Sequence, residues 1–455
     1  MGIDRKYLSI KKETNIIKKV IDNSNWRLIA SVFLLTLTGI VMIYSATFFS
    51  GNLNFVAKQI IAFLIGVILL VFLSIISYQT FQPYYFYIYL FCIFLLILVL
   101  FVGSTYRNTK AWIDLKLFLF QPSEIVRILF ILAIAGYMDI DYIKITKKIA
   151  KFFVSIIAFS VIVILLILEN DFSAVVVYFP ILITVFYLSG INKKFLNYIL
   201  SFFVITVILF LTKSYLVLKE GNLFKLFRWF LLSLTGLNKY YFFSLGIITA
   251  ISILIWWILK RLLFRVSIYS LLLTIFIIYV SYSLVAFSHK FIKSYQNKRI
   301  IGFLNPYIDP AGCGYQVIQT KVAIGSGRIF GKGIFQSTQA KLGFVPEKHT
   351  DFIFSLIGEE LGFLGTSIVI FLYLIIILEG IKITFTSIDT YGSLVAGSIT
   401  AMFGFYFFVN TGMCLGILPV VGLPLPFVSY GGSNLVASYM AVGILNSINI
   451  RKFLY

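Results

Sequence analysis

Residues 346–378 read PEKHTDFIFSLIGEELGFLGTSIVIFLYLIIIL, polar and charged side chains set against the start of a long apolar run. A bilayer core requires about 20 consecutive apolar residues per helix, and runs of this length recur along the chain. They fall at 27–49, 55–77, 84–103, 120–138, 149–168, 172–190, 196–218, 241–259, 266–288, 352–378, 392–418 and 426–448. Hydropathy therefore predicts an all-α, polytopic helical membrane protein with about twelve transmembrane helices. The runs are continuous rather than alternating, which excludes a membrane β-barrel. Nothing outside them has the length and core of a soluble domain. The chain reads as an N-terminal arm, 1–26, and one transmembrane domain, 27–455.

The arm is basic (Arg5, Lys6, Lys11, Lys12, Lys18, Lys19) and leads into a run long enough to span, so it reads as an uncleaved anchor. The positive-inside rule puts this end in the cytoplasm. Lys147–Lys148, Lys193–Lys194, Lys260–Arg261 and Arg451–Lys452 then fall on the same side, with both termini cytoplasmic. The net charge of +21 suits orientation and contact with anionic lipid. Nucleic acid is excluded as a partner, because no soluble basic domain exists to carry it. Cys92, Cys313 and Cys414 are scattered, and His289 and His349 are the only histidines, so neither a disulfide framework nor a histidine-rich metal site is encoded.

In a chain that is only 12% charged, ionisable residues beside membrane helices point to function. With the N-terminus inside, four irregular polar segments face outward. These are 104–120 leading into Gln121-Pro122-Ser123-Glu124, the break Glu169-Asn170-Asp171, the long loop 289–351 before the tenth helix of the count, and the Pro/Gly segment 419–433. A transporter is expected to break its helices near the midplane. Chemistry gathered on one side favours an enzyme acting on a membrane-anchored substrate.

Each segment has a local reading as well. Pro122 and Glu124 suit the first turn of a helix, and Thr350 and Asp351 suit a helix cap. Trp112 serves either as an interfacial anchor or as a stacking surface for a sugar. The fragment 325–333, Gly-Ser-Gly-Arg-Ile-Phe-Gly-Lys-Gly, is either a flexible loop or a set of backbone amides cradling phosphate, with Arg328 or Lys332 adding charge. It lacks P-loop spacing. Segment 419–433 cannot form a continuous helix and must be a re-entrant or interfacial turn buried in protein.

At these residues the chain resembles the SEDS family, the group that includes RodA, FtsW and SpoVE. The matching motifs are WIDL (112–115), FQPSE (120–124), NPYIDPAGCGYQVIQTKVAIGSG (305–327), PEKHTDFIFSLIGEELGFLG (346–365) and GILPVVGLPLPFVSYGGS (416–433). They are long, collinear and spread over most of the chain. The wording is closer to the RodA branch than to the FtsW branch, which usually carries a lysine where Val421 stands.

The resemblance implies a peptidoglycan glycosyltransferase that polymerises lipid II on the outer face of the bacterial cytoplasmic membrane during elongation and shape maintenance. It implies partnership with a class B penicillin-binding protein, the transpeptidase, and with other membrane proteins of the elongation complex. Asp351, the Asp of HTDFIF, is the implied catalytic residue. Trp112 and Glu124 are implicated in activity, and Asp171, His349 and Ser429 lie in motifs expected to meet substrate. The family core has about ten helices, so 212–265 reads as an inserted pair with a basic, aromatic outer loop. Its Leu223, Phe227, Phe230, Leu231 and Leu234 follow helical spacing. Two departures stand out: Gly343 occupies a position where Glu is usual, and Glu169-Asn-Asp-Phe-Ser-Ala174 replaces QPDLGT.

Glycosyl transfer requires a base for the acceptor hydroxyl. A lipid diphosphate is already a leaving group, so cations that stabilise its charge can replace a general acid. Asp351 is the candidate base, and Arg299, Lys321, Arg328 and Lys332 are candidate diphosphate contacts. No cofactor is evident. A divalent cation is compatible with neutralising the diphosphate, although no dedicated cage is encoded. Two rival readings are a lipid-linked precursor flippase and a non-enzymatic scaffold of the wall-synthesis complex.

Overall fold

The computed structural model describes residues 22–48, 54–106, 109–114, 119–139, 145–218, 232–234, 239–262, 267–287, 294–310, 312, 314–338 and 348–452. The helices are α1 (Trp26–Phe48), α2 (Asn54–Ile75), α3 (Tyr85–Val102), α4 (Pro122–Asp139), α5 (Ile145–Leu168), α6 (Phe172–Leu188), α7 (Lys193–Leu218), α8 (Lys239–Arg261), α9 (Ile268–Phe287), α10 (Ser294–Leu304), α11 (Tyr315–Ser326), α12 (Ile353–Glu360), α13 (Gly362–Thr386), α14 (Thr390–Cys414) and α15 (Gly432–Arg451). Among the described residues nine helices are long and apolar enough to cross a membrane. The 17-residue α6 and the more polar α4 and α15 supply the other three of the expected twelve. Most residues of α4 and α15 are buried, so the polar side chains they carry pack against protein.

Two features depart from the linear reading. Segment 104–120, expected only as an irregular polar stretch, contains a three-stranded antiparallel meander, β1 (Ser104–Tyr106), β2 (Thr109–Asp114) and β3 (Leu119–Phe120). The run read as one span from 352 is two helices, broken at Leu361 between α12 and α13. Gly362 enters α13 with φ +64°, and a side chain there would collide with the amide of Gly331. Only glycine permits both the left-handed backbone and the close approach of the preceding loop.

The chain forms two compact units, 1–191 with 319–455, and 192–318. In the first, α2 packs along α15, α4 along α3, and α14 against α6 and α13. At one end of this unit the start of α1 meets the end of α15, where the Asn25 amide donates to Asn446 Oδ1 (3.0 Å) and Asn449 donates to the Asn23 carbonyl (3.0 Å). Asp389, which caps α14 through the Gly392 amide (2.8 Å), lies at that end too, bonded to Tyr78 and Gln79. At the opposite end lie the meander, the 169–171 turn, loop 327–338, turn 348–352 and segment 419–433. The irregular polar segments of this unit therefore share one end.

The second unit contains α7 to α10. Its buried centre is Leu234, Tyr241, Tyr282, Val285 and Ala286, and Lys213 of α7 donates to the Val285 carbonyl (2.8 Å). Of the apolar face expected over 223–234, only Leu234 lies among the described residues, and it is fully buried. Exposed Ile208, Ile253 and Phe276 give this unit the apolar surface that a lipid environment requires.

Candidate functional site

Asp351 lies in the turn that leads into α12 and is half-buried. The backbone around it is held at three consecutive carbonyls. Tyr430 N donates to His349 O (2.8 Å), Ser429 Oγ to Thr350 O (2.6 Å), and Asn410 Nδ2 to Asp351 O (2.9 Å). The Asp351 carboxylate lies against Gly422, which has φ +80° and where a Cβ would stand 3.3 Å from Oδ2. The His349 ring packs on Phe55 and Tyr430, with centroids 5.0 Å and 5.7 Å away.

Segment 419–433 is the support for this turn, and it is buried in protein as a non-helical stretch at a membrane helix must be. Gln59 of α2, fully buried, reads both sides of it: Nε2 donates to Ser429 O (3.2 Å) and Oε1 accepts from Gly431 N (3.2 Å). The Tyr373 hydroxyl donates to Pro426 O, and Ser429 Oγ accepts from Leu425 N (2.7 Å). Phe427 takes a left-handed φ of 68°, a strained backbone that this density of contacts holds in place.

A few residues further on, the same segment meets the second motif. Gln121 N donates to Ser433 Oγ (2.9 Å), which in turn donates to Leu119 O of β3 (3.1 Å). Asp171 caps α6 through Ala174 N (3.1 Å) and accepts from Ser173 (2.9 Å), Gln121 (2.8 Å) and Ser123 (3.3 Å). Glu124 is 6% exposed, pairs with Arg127 (2.8 Å) and accepts from Asn434 (3.0 Å). Arg127 also donates to the Tyr406 hydroxyl and stacks on that ring. Trp112 is half-buried on β2, its carbonyl accepting from Ser104 Oγ (3.1 Å). The neighbouring Lys110 amide ties the meander to Glu169 O (3.0 Å). Through segment 419–433 the fold thus links Asp351, His349 and Ser429 to Glu124, Asp171 and the strand that carries Trp112.

Glu169 stands apart chemically. It is 1% exposed, and neither carboxylate oxygen takes a hydrogen bond among the described residues. Burial, and secondarily the charge of Asp171, raise its pKa to about 8. It therefore holds a proton at neutral pH.

The cations are distributed differently from what residue type alone suggests. The amides of Gly331, Lys332 and Gly333 donate to the carbonyls of Gly327 (2.8 Å), Glu359 (3.0 Å) and Glu360 (3.0 Å), so these three form a packing motif and not a phosphate cradle. Lys332 Nζ pairs with the fully buried Glu359 (2.6 Å), which also accepts from Thr338 N (3.0 Å) and from Ser337. Arg328 and Lys321 are exposed in the same unit, and Arg299 is exposed in the other. Gly343, Cys313 and His289 lie outside the described residues, as do Leu223, Phe227, Phe230 and Leu231. Among the described residues no group of three or more His, Cys, Asp or Glu is arranged to hold a metal ion.

Asn410, Gln59 and Asn434 are site-building residues outside the quoted motifs, and Glu359 lies within one of them without having been singled out. Each is a buried polar residue in or beside an apolar run, and that was the one available signal, because such groups are costly unless satisfied.

The family model FTSW_RODA_SPOVE, described as cell cycle protein, matches residues 25–233 and 243–453. The chain is 31% identical over 439 residues to the peptidoglycan glycosyltransferase RodA of Treponema pallidum, covering 95% of this chain and 99% of that one. It is 27% identical over 425 residues to a probable peptidoglycan glycosyltransferase FtsW of Geobacter sulfurreducens, covering 92% of each. Among solved structures, a chain of a peptidoglycan synthase complex that coordinates polymerization and crosslinking aligns with a TM-score of 0.65 at 24% identity, over 95% of this chain and 99% of that chain. The crystal structure of Thermus thermophilus RodA aligns with a TM-score of 0.56 at 20% identity, over 94% of this chain and 98% of that chain. The chain belongs to the FtsW/RodA/SpoVE family of cell cycle proteins.

Proposed function

We propose that this peptidoglycan glycosyltransferase polymerises lipid II at the outer end of its membrane bundle, with Asp351 as the general base. The observation that carries the reading is the mounting of Asp351: one carboxylate at the junction of two motif segments, on a backbone bonded at three consecutive carbonyls. A catalytic group must be held this closely before substrate arrives. In the reaction the Asp351 carboxylate takes the proton of the acceptor 4-hydroxyl as that oxygen bonds to the anomeric carbon of the donor. The bond from that carbon to the lipid diphosphate breaks, and the diphosphate leaves with the electron pair.

Exposed Arg328 and Lys321, in the same unit as Asp351, are the candidates to meet the leaving charge. Lys332 contributes less, because its charge is already paired with Glu359. Glu124 and Asp171 act on the site through segment 419–433 and α6. A divalent cation would serve by screening the diphosphate, and a polymerisation assay with and without a chelator tests that role. The shared end of the polar segments supports an outward site with both termini cytoplasmic. Labelling Lys321→Cys from outside intact spheroplasts is the matching test. Its labelling only after permeabilisation overturns the orientation.

A class B penicillin-binding protein as partner, and work in elongation, fit the similarity to RodA and to a chain of a synthase complex. The decisive experiment is polymerisation of lipid II by the purified protein and by Asp351→Asn. The wild type makes polymer and the variant, folded, makes none. Polymer at the normal rate from folded Asp351→Asn removes Asp351 as base. Translocation without polymer supports a flippase, and neither activity supports a scaffold.

A further inference from the structure

We propose that Asn410 is the positioning residue for Asp351, aiming the carboxylate by clamping the two backbone segments on either side of it. The proposal rests on the reading of Asp351 as the base. Asn410 sits in α14, fully buried, and one Nδ2 donates to Asp351 O (2.9 Å) and to Leu423 O (2.7 Å). Two carbonyl acceptors fix the amide's orientation, because an oxygen turned toward them would face lone pairs. Its own Oδ1 is buried and has no hydrogen-bond partner among the described residues. The side chain is therefore oriented for its two donors.

The geometry makes this more than an ordinary buried amide. One carbonyl that Asn410 holds belongs to Asp351 itself, and the other, Leu423 O, lies one residue past Gly422, which faces the carboxylate. One NH2 group thus sets the distance between the backbone that bears the carboxylate and the backbone that the carboxylate faces. One turn further along α14, the Cys414 thiol also points at Asp351 O, at 3.9 Å, a weak contact that cannot replace an amide donor. The bonds from Tyr430 N and Ser429 Oγ reach the neighbouring carbonyls of His349 and Thr350, whereas Asn410 holds the carbonyl of Asp351 itself.

The test is Asn410→Leu, close in volume, with both donors and the unsatisfied oxygen removed. Purified variant and wild type are compared for lipid II binding, polymerisation rate and thermal unfolding. The expected result is a monodisperse protein with Kd for lipid II within about twofold of wild type and a polymerisation rate lowered about 10- to 100-fold, as misplacement of a reacting group produces. A rate within about twofold of wild type overturns the proposal. So does a rate that falls only in step with weakened binding and lowered Tm, the signature of a purely structural role. If Asn410→Leu does not fold, Asn410→Ser, with one donor in place of two, carries the same comparison. Asp351→Asn assayed alongside separates the two readings. An active Asp351→Asn with a slow Asn410→Leu sinks the base assignment, and an inactive Asp351→Asn with a normal Asn410→Leu sinks the positioning role.

Discussion

Replacing Glu169 by Gln is expected to stabilise the protein, and to do so in a pH-dependent way. The folded protein holds the Glu169 proton up to about pH 8, against an ordinary glutamate value of 4.5, because the carboxyl is buried and faces Asp171. Between those values the folded chain keeps a proton that the unfolded chain has lost. Stability therefore falls as pH rises through that window and levels off above it. At about 1.4 kcal/mol per pH unit, the interval from 4.5 to 7 makes Glu169 destabilising by up to about 3 kcal/mol at neutral pH. The amide of Gln has nearly the same shape and no charge to lose. Its own unsatisfied burial is matched by that of the protonated carboxyl it replaces, so most of the gain survives. The assay is thermal unfolding of purified wild type and Glu169→Gln at pH 5, 6, 7 and 8, at one scan rate because unfolding of such proteins is often irreversible. The two Tm values should nearly coincide at pH 5 and diverge in favour of the variant toward pH 8. Parallel profiles, with a constant offset or none, would refute the argument, because they would mean that Glu169 titrates alike in both states.

Other expectations follow from particular contacts. Lys332→Met leaves Glu359 buried without its cation and should destabilise by roughly 3 kcal/mol, with Glu359→Gln in the same chain restoring much of the loss in Tm. Gly362→Ala forces a side chain into a left-handed backbone that touches loop 327–333, so it should cost at least about 1–2 kcal/mol and speed proteolysis of that loop. Adding a chelator to the polymerisation assay should slow the reaction if a divalent cation screens the diphosphate, and an unchanged rate would assign that task to the exposed cations.

Helices were legible in the sequence because the bilayer leaves few solutions for a long apolar run: every backbone group must be satisfied within the segment. Apolar runs of the required length therefore marked the spans, and the Pro/Gly spacing of 419–433 marked the stretch that could not be helical. The motif residues were legible too, because a charge is conspicuous in a chain with so few. What such a reading could not supply was the partner of each polar group. Lys332 lies 27 residues from Glu359, Asn410 59 residues from Asp351, and Glu124 310 residues from Asn434. Hydrophobic periodicity records which face of a helix is apolar, not which distant carbonyl a buried amide will meet. The break at Gly362 is another such case, since it depends on a loop some 30 residues earlier docking against α13. The sequence by itself determined a helical membrane protein with its chemistry gathered in a few polar motifs. Only the tertiary structure decided that Lys332 is a clamp, that Glu169 is a carboxyl without a hydrogen-bond partner among the described residues, and that the backbone of Asp351 is held by Asn410, because each of these depends on segments that only the folded chain brings together.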